Sequence, residues 1–303
     1  MNFKKKVTIL SALVAVLAIV YILILFLESD RRRDPSFAWL EASNFAMADT
    51  IEIYGKNDLN VLRRINDTWF LYEDGIDYPA RQSRVEDLIA SLNRKEVYPI
   101  RAVSAEARER LGLVDGSASR IRIHGGAGLP LLDLLIGIPD TMGRQVFLKS
   151  ADRNEIYSGE DRFTFFTEGT SVFWMDRRFF ASASIADVQQ IEVSLPLGAY
   201  NLRRSGGGWI MQGTSDEIDV SRVDSWLRGI LEGEAEYLTT GSPDTIESTI
   251  TLRMGDGQNK VILAGPDNEI SIRQVLVSDS SFTYLLSEAT YNRLFRESSY
   301  FLR

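Results

Sequence analysis

Short segments of this chain recur in the same order about 140 residues further along, and this repetition constrains its fold more than any other sequence feature. Three pieces recur with an offset of 140 residues: Ile51-Glu52-Ile53 as Ile191-Glu192-Val193, Leu62-Arg63-Arg64 as Leu202-Arg203-Arg204, and Trp69 as Trp209. Later pieces recur with smaller offsets, 138 for Ser83-Arg84-Val85 and 129 for Gln145-Val146. The shared order predicts a duplicated unit with a shorter second copy, which lacks the small helix predicted within residues 104–112.

Each copy predicts the same succession of elements. A strand is followed by a hairpin whose second arm carries the tryptophan. The turn residues are Asn66-Asp67 in one copy and Ser205-Gly206-Gly207-Gly208 in the other. An amphipathic helix comes next. Its apolar stripe comprises Val85, Leu88, Ile89 and Leu92 in the first copy, and Val223, Trp226, Leu227 and Ile230 in the second.

The helix starts and the remaining strands complete the expected unit. We expect Ser83 and Glu86 to form a capping box, and Ser221 and Asp224 to hold the equivalent positions. Apolar and alternating runs then predict a β-meander in each copy, over residues 120–124, 131–136, 145–148 and 155–157, and over residues 249–253, 260–263, 270–277 and 283–286. The predicted fold class is α+β: two repeated units, residues 45–182 and 187–303, each a mostly antiparallel sheet with an amphipathic helix on one face.

The N-terminal region carries an uncharged run of 21 residues, 7–27, directly after Lys4, Lys5 and Lys6. A helix of this length covers the roughly 30 Å hydrocarbon core of a bilayer, whereas a cleavable signal peptide needs only about 7–15 apolar residues. We therefore predict a retained transmembrane helix, with residues 1–34 as anchor and flanks; a buried core helix is the alternative. Basic residues on both sides of the run leave its orientation open.

Composition excludes several classes of protein. The chain has no cysteine, which rules out disulfides and an N-terminal lipid anchor. Beyond residue 34 it carries 28 basic and 39 acidic side chains, a net charge of −11. Because nucleic acids and anionic head groups require clustered Lys and Arg, we predict no nucleic-acid partner.

Residues that could carry chemistry are scarce. His124 is the single histidine, which disfavours a zinc site. His124-Gly125-Gly126 is similar to an esterase oxyanion turn, but the chain has no Gly-x-Ser-x-Gly elbow, so we interpret it as a hairpin turn. Gly206 to Gly208 lacks a following Gly-Lys-Ser/Thr and is interpreted as a flexible turn. We assign no catalytic, cofactor-binding or metal residues and no cofactor; a glycosidase-like carboxylate pair stays open, because it is a relation in space.

Three further features have both a structural and a binding interpretation. Arg63-Arg64 and Arg203-Arg204 are either a repeated anionic contact or, as we favour, solvated strand faces. Trp69 and Trp209 are expected in the core rather than stacked on a ligand. A dense aromatic cluster is expected to pack the two repeats together, although an exposed part of it would indicate a docking surface. Its members are Phe163, Phe165, Phe166, Phe173 and Trp174.

Four local features together point to one family. They are the stretch from Leu62-Arg63-Arg64 to Trp69, Tyr78-Pro79-Ala80 before the helix, Leu111-Gly112-Leu113 before a strand, and Trp174-Met175-Asp176-Arg177-Arg178-Phe179 at the end of the first unit. With them, nearly the whole chain resembles the bacterial DUF4340 family, whose domain often occurs in tandem behind one N-terminal transmembrane helix. The second copy departs from this pattern, since it lacks counterparts of Tyr78-Pro79 and of Leu111-Gly112-Leu113.

The resemblance implies a role beside an ABC-2-type or gliding-motility-type transporter. We therefore predict a non-enzymatic accessory subunit that acts through protein–protein contacts with a transporter permease and an associated exported subunit. We expect it in the bacterial inner membrane, single-pass, with most of the chain on the extracytoplasmic side. An exported hydrolase or carbohydrate-binding module, and a scaffold for envelope assembly, are the alternatives.

Overall fold

The computed structural model describes residues 45–56, 58–94, 98–180, 183–268 and 271–303. Within these residues neighbouring strands pair antiparallel, and a few short helices accompany them. The α+β fold class is confirmed at that level. The predicted transmembrane helix, residues 7–27, lies outside the described residues, and none of the helices inside them is long and apolar enough to cross a membrane.

The described chain divides into two compact units, each built from two stretches of sequence. The first unit contains residues 45–49 and Asp87–Phe165, and the second contains Thr50–Glu86 and Phe166–Arg303. The predicted repeat boundaries, residues 45–182 and 187–303, remain predictions.

The first unit holds the meander of the first copy. Its elements are β5 (Ile100–Ala102), β6 (Ser119–Gly125), β7 (Leu129–Pro139), β8 (Gln145–Ser150) and β9 (Ile156–Glu160), in the spatial order β6-β7-β8-β9-β5, with a short helix at Ala105–Arg110. The predicted strands and the predicted small helix are thereby confirmed. Packing requires glycine at position 137, because a β-carbon there would lie only 2.2 Å from the carbonyl oxygen of Leu111.

The second unit contains a four-stranded ribbon and an eight-stranded sheet. The ribbon has the order β4-β3-β2-β1, with β1 (Ala48–Tyr54), β2 (Leu59–Ile65), β3 (Thr68–Glu73) and β4 (Ile76–Pro79). The sheet has the order β12-β11-β10-β14-β15-β16-β17-β13, with β10 (Val188–Leu195), β11 (Gly198–Ser205), β12 (Gly208–Met211), β13 (Tyr237–Thr239), β14 (Ser248–Met254), β15 (Asn259–Asp267), β16 (Ile272–Val277) and β17 (Thr283–Ser287).

Six helices are used below, numbered along the chain. They are α1 (Gln82–Leu92), α2 (Ala105–Arg110), α3 (Arg162–Thr167), α4 (Ser171–Trp174), α5 (Val220–Leu231) and α6 (Glu288–Leu294). The apolar stripes of α1 and α5 are confirmed: Val85, Leu88 and Leu92 are fully buried, as are the core positions of α5. Ile89 is half-buried.

The hairpins of the two copies share one register. Ile51 lies opposite Leu62 in β1 and β2, and Ile191 lies opposite Leu202 in β10 and β11. The first turn is tight because Asn66 and Asp67 take φ values of 49° and 63°, the left-handed pair that matches strand twist.

The predicted cap of α1 is wrong. The helix begins at Gln82, so Ser83 lies within the first turn instead of preceding it. The Gln82 side chain accepts a hydrogen bond from the Trp69 backbone N at 3.0 Å and donates to the carbonyl oxygens of Trp69 and Ala80, each at 2.8 Å. This amide ties the helix start to the hairpin, a tertiary contact that local spacing cannot reveal.

The predicted cap of α5 is also wrong. Asp219 is the cap residue, and its carboxylate accepts hydrogen bonds from the backbone N of Ser221 at 3.0 Å and of Arg222 at 3.2 Å. Asp224 instead accepts a hydrogen bond from the Trp209 indole N at 2.9 Å. The carboxylate two residues before Ser221 reaches the free helix amides, which leaves Asp224 to satisfy a buried indole.

Candidate functional site

The glycine-rich motifs and the tryptophans have structural roles. His124 and Gly125 pair with the start of β7, so His124-Gly125-Gly126 is a hairpin turn as predicted. Gly206 and Gly207 form the turn between β11 and β12 with φ values of 58° and 85°. Trp69 and Trp209 are buried, which confirms their assignment to the core.

The repeated arginine pairs largely bind within the fold. The Arg63 guanidinium lies 3.4 Å from the centre of the Tyr72 ring, and Arg64 pairs with Asp67 at 2.9 Å. Arg204 donates to the carbonyl oxygens of Ile185 and Val188, both at 2.7 Å, and Arg203 is exposed. Arg203 alone therefore fits the solvated strand face we favoured, because internal contacts hold the other three arginines.

The aromatic cluster is mostly internal. Phe163, Phe166 and Trp174 are buried, Phe173 is half-buried, and Phe165 is 63% exposed. Phe173 meets Trp174 edge to face, with ring centres 4.9 Å apart. One exposed phenylalanine does not make a contiguous apolar patch, so the cluster is not a docking surface of the kind considered above.

Residues 174–180, called the bridging segment below, link elements of the second unit that are distant in sequence. The carbonyl oxygen of Trp174 accepts a hydrogen bond from the Arg81 backbone N at 2.7 Å, just after β4. The Phe179 backbone N donates to the Gly233 carbonyl at 3.1 Å, just after α5. The bridging segment therefore runs from the edge of the ribbon to the end of α5.

An ion-pair network reinforces this link. Glu234 pairs with Arg81 at 2.5 Å and with Arg177 at 3.2 Å. The side chains of Glu234, Arg81 and Arg177 are 29%, 24% and 16% exposed, respectively, so solvent screens these pairs less than it would screen surface pairs. Arg177 also donates to the carbonyl oxygens of Ala235 and Glu236.

One further polar pair lies within the bridging segment, and another joins β13 to β3 in the same unit. Burial alone would raise the pKa of Asp176, but hydrogen bonds from Arg178 at 2.8 and 2.6 Å outweigh that effect and hold the pKa below its ordinary value. Burial, followed by a hydrogen bond to Glu73, raises the pKa of Tyr237 to about 12. Asp176 is therefore ionised and Tyr237 neutral at physiological pH.

A cleft of about 590 Å³ lies beside the end of the bridging segment, within the second unit. It is called the arginine cleft below. Helices α5 and α6 and the 3-10 turn Ser298–Phe301 surround it. Trp226 fixes its apolar base, since the indole N donates to the Leu294 carbonyl at 2.7 Å and the ring packs edge-on against Phe301 at 4.9 Å between centres.

Three arginines give the arginine cleft its charge. Arg228 and Arg293 are exposed, and Arg293 donates to the Thr290 hydroxyl at 3.1 Å. The Arg296 guanidinium lies 4.8 Å from the centre of the Tyr300 ring. Glu232 and Glu234 also line the cleft, but Glu234 is engaged by Arg81 and Arg177. The cleft thus joins arginines to aromatic surface, a combination typical of interfaces that bind acidic segments.

Gly229 lines the arginine cleft from the interior of α5. A β-carbon at this position would meet no atom within 4 Å, and the backbone is helical. Glycine in a helix interior costs about 1 kcal/mol relative to alanine. Internal packing does not require this glycine, whereas a ligand that approaches the helix closely would.

Sequence reasoning assigned no site residues and missed the arginine cleft. The apolar stripe that places Trp226 was recognisable, but Arg293 lies in α6, a helix that was not predicted, and Arg296 follows the end of that helix. Within the described parts of the chain, no group of three or more His, Cys, Asp or Glu side chains is placed to hold a metal ion. The sequence signal that could have drawn attention to the cleft is Gly229, a glycine in the interior of a predicted helix, next to its apolar stripe.

Comparison with known proteins supplies the family. The model of a domain of unknown function, DUF4340, matches residues 69–253, about three fifths of the chain. This stretch begins at Trp69 in β3 and ends in β14, so it includes the bridging segment and α5. No curated protein and no solved structure matches the chain significantly. From Trp69 to Arg253, the chain carries the sequence of this domain, and it therefore belongs to the DUF4340 family.

Proposed function

We propose that this protein is a membrane-anchored, non-enzymatic accessory subunit of an envelope ABC-type transport complex. In this proposal residues 7–27 span the membrane and the two repeats stand on the extracytoplasmic side. The arginine cleft receives an acidic segment of a partner protein, a transporter permease or an associated exported subunit.

The arginine cleft is the observation that carries the proposal. Its volume of about 590 Å³ accommodates several side chains of a bound segment. Arg228, Arg293 and Arg296 supply bidentate donors for carboxylates, and Trp226 and Tyr300 supply flat apolar surface. The chain as a whole carries a net charge of −8, so a cluster of three arginines in one cleft stands out from its surroundings. Charge complementarity therefore favours an acidic partner.

The membrane anchor supports the same role. The uncharged run of 21 residues has the length of a bilayer span, and an anchored domain meets membrane-embedded partners at high effective concentration. A modest affinity at the arginine cleft suffices under these conditions.

Co-purification from native membranes tests the proposal. The full-length chain is isolated in mild detergent after cross-linking, and its partners are identified by mass spectrometry. We expect a permease or an exported subunit to be cross-linked through an acidic segment to residues of the arginine cleft. The double variant Arg228→Glu/Arg293→Glu should lose this partner.

A matched control carries the same change of charge elsewhere. Arg101 and Arg144 are exposed and lie outside the arginine cleft, so Arg101→Glu/Arg144→Glu should keep the partner. Equal recovery with both double variants would contradict a role for the cleft. Recovery of sugar polymers alone would favour the binding-module or hydrolase alternative, and recovery of envelope proteins without a transporter would favour the scaffold.

A further inference from the structure

A second cleft, of about 460 Å³, lies wholly within the first unit. It is called the lysine cleft below. Helix α2 and strands β6, β7 and β8 contribute its walls. Its charged lining consists of Arg108, Arg120 and Lys149, opposed by Glu109 and Asp115.

Lys149 is the most unusual residue of the lysine cleft, because its side chain is almost completely buried at 4% exposure. Its ammonium donates to the carbonyl oxygens of Ser150 at 2.7 Å and of Ala151 at 3.3 Å. An ammonium has three donors, so one is left for a ligand. Burial, and then the charge of Arg108, lower the pKa of Lys149, and these effects outweigh the charges of Asp152, Asp133 and Glu155, which act in the opposite direction.

Arg108 carries a second unmet donor. Its Nε is shielded from solvent and has no hydrogen-bond partner within the described chain. A buried donor without a partner destabilises the fold, so a bound acceptor would remove that penalty. The third cation, Arg120, already has a carboxylate partner, since it donates two hydrogen bonds of 2.5 Å to Asp133.

Packing holds these groups in place. Ala107 of α2 is buried in a cluster with Leu113, Leu135 and Ile156, which anchors the short helix against the sheet. Arg108 is the residue after Ala107 within this anchored helix, and Leu135 itself lines the lysine cleft. The site is therefore built on ordered elements.

The second copy has no equivalent of the lysine cleft. The stretch that forms α2 is missing from it, and the offset of 129 residues places Ser278 where the first copy has Lys149. A buried lysine is costly to the fold, yet it is found in the copy that also carries the extra helix with Arg108. The two features occur together in one repeat, as expected if they serve one purpose.

We propose that the lysine cleft binds a small oxyanion, namely the phosphate or carboxylate group of a small molecule. Lys149 supplies the positive charge at the centre of the site, and Arg108 supplies a directional hydrogen-bond donor. Arg120 and Asp133 form an ion pair beside it. This site is independent of the arginine cleft and of the proposed function.

Thermal unfolding of the full-length chain in detergent tests this site. Inorganic phosphate and citrate are titrated separately, against sodium chloride at matched ionic strength. We expect at least one of the two oxyanions to raise the unfolding temperature with saturation, and their order distinguishes a phosphate site from a carboxylate site. Lys149→Met and Arg108→Gln should each weaken the apparent affinity at least tenfold.

Arg110→Gln is the matched control, because Arg110 is exposed on the same short helix and does not line the lysine cleft. It should respond to the oxyanion as the unaltered chain does. If Lys149→Met does not fold, Arg108→Gln decides the outcome. An equal response in Arg108→Gln and Arg110→Gln, or no response of the unaltered chain to either oxyanion, would overturn the proposal.

Discussion

Glu234 joins parts of the second unit that are far apart in the sequence. It binds Arg81, 153 positions earlier in the chain, and Arg177 of the bridging segment. The same carboxylate lies at the wall of the arginine cleft. Its position ties the stability of the bridging segment to the geometry of the cleft.

Glu234→Ala should lower the free energy of unfolding by about 1–3 kcal/mol, between the values for surface and buried ion pairs, because it leaves two arginines unpaired. The measurement is urea denaturation of the full-length chain in detergent. Glu232→Ala is the control, since Glu232 is exposed and should change stability by less than about 0.5 kcal/mol. Equal losses of unfolding free energy in Glu234→Ala and Glu232→Ala would show that the ion-pair network does not contribute to stability.

Asp176 should make stability depend on pH in the acid range. Its folded pKa lies below the unfolded value of about 3.9, so its stabilising contribution is fully present above that value and is lost as the pH falls through the folded pKa. Asp176→Asn should therefore be less stable than the unaltered chain at pH 7, by about 1–2 kcal/mol, with a difference that narrows below about pH 4. A difference that stays constant from pH 7 to pH 3 would contradict this assignment.

For individual residues, the sequence patterns predicted which side chains lie in the core but not which polar side chains contact each other. Trp69, Trp209 and the helix stripes were recognisable because burial follows periodicity. The pairing of Glu234 with Arg81, and the burial of Lys149, depend on which segments the fold brings together. Local spacing contains no information about that.

Helix α5 carries two glycines with opposite structural requirements, one inside the helix and one just after its end. A β-carbon at Gly229 would meet nothing within 4 Å, whereas one at Gly233 would lie 2.4 Å from the Gly229 carbonyl oxygen and 2.8 Å from the Phe179 ring. The first glycine is unnecessary for packing and the second is required by it.

Gly229→Ala should therefore raise the free energy of unfolding by about 0.5–1 kcal/mol. Gly233→Ala should lower it by about 1–3 kcal/mol, because backbone or ring must move. Chemical denaturation of both variants under one set of conditions gives the comparison. Shifts of the same sign would contradict the packing described here.

Elements were predictable where their pattern is strong. The meander strands, the two amphipathic helices and both hairpin turns follow from alternation, helical spacing and turn residues. The short strands β5 and β13 and the short helix α6 were not predicted. Three to seven residues show too little periodicity to distinguish a helix or a strand from a loop. The predicted helix caps were wrong because residue spacing does not show which of several nearby polar side chains bonds at the helix start, here Gln82 and Asp219.

For the whole molecule, the family and the α+β class were recognisable from the sequence, and the clefts were not. The duplication predicts similar units, yet the lysine cleft depends on residues that only the first copy has. A cleft arises from the gaps that packing leaves between elements. Such gaps cannot be inferred from patterns that report which residues are buried.

Photo-cross-linking from the arginine cleft tests the central claim most directly. A photo-reactive phenylalanine analogue replaces Ser225, which is exposed and lines the cleft, in the full-length chain in its native membrane. The same analogue at Thr141, exposed in a turn of the first unit, is the control. We predict a cross-link from position 225 to an acidic segment of a transporter permease or exported subunit, absent from position 141 and lost with Arg228→Glu/Arg293→Glu. The same cross-links from both positions, or none from position 225, would contradict the account.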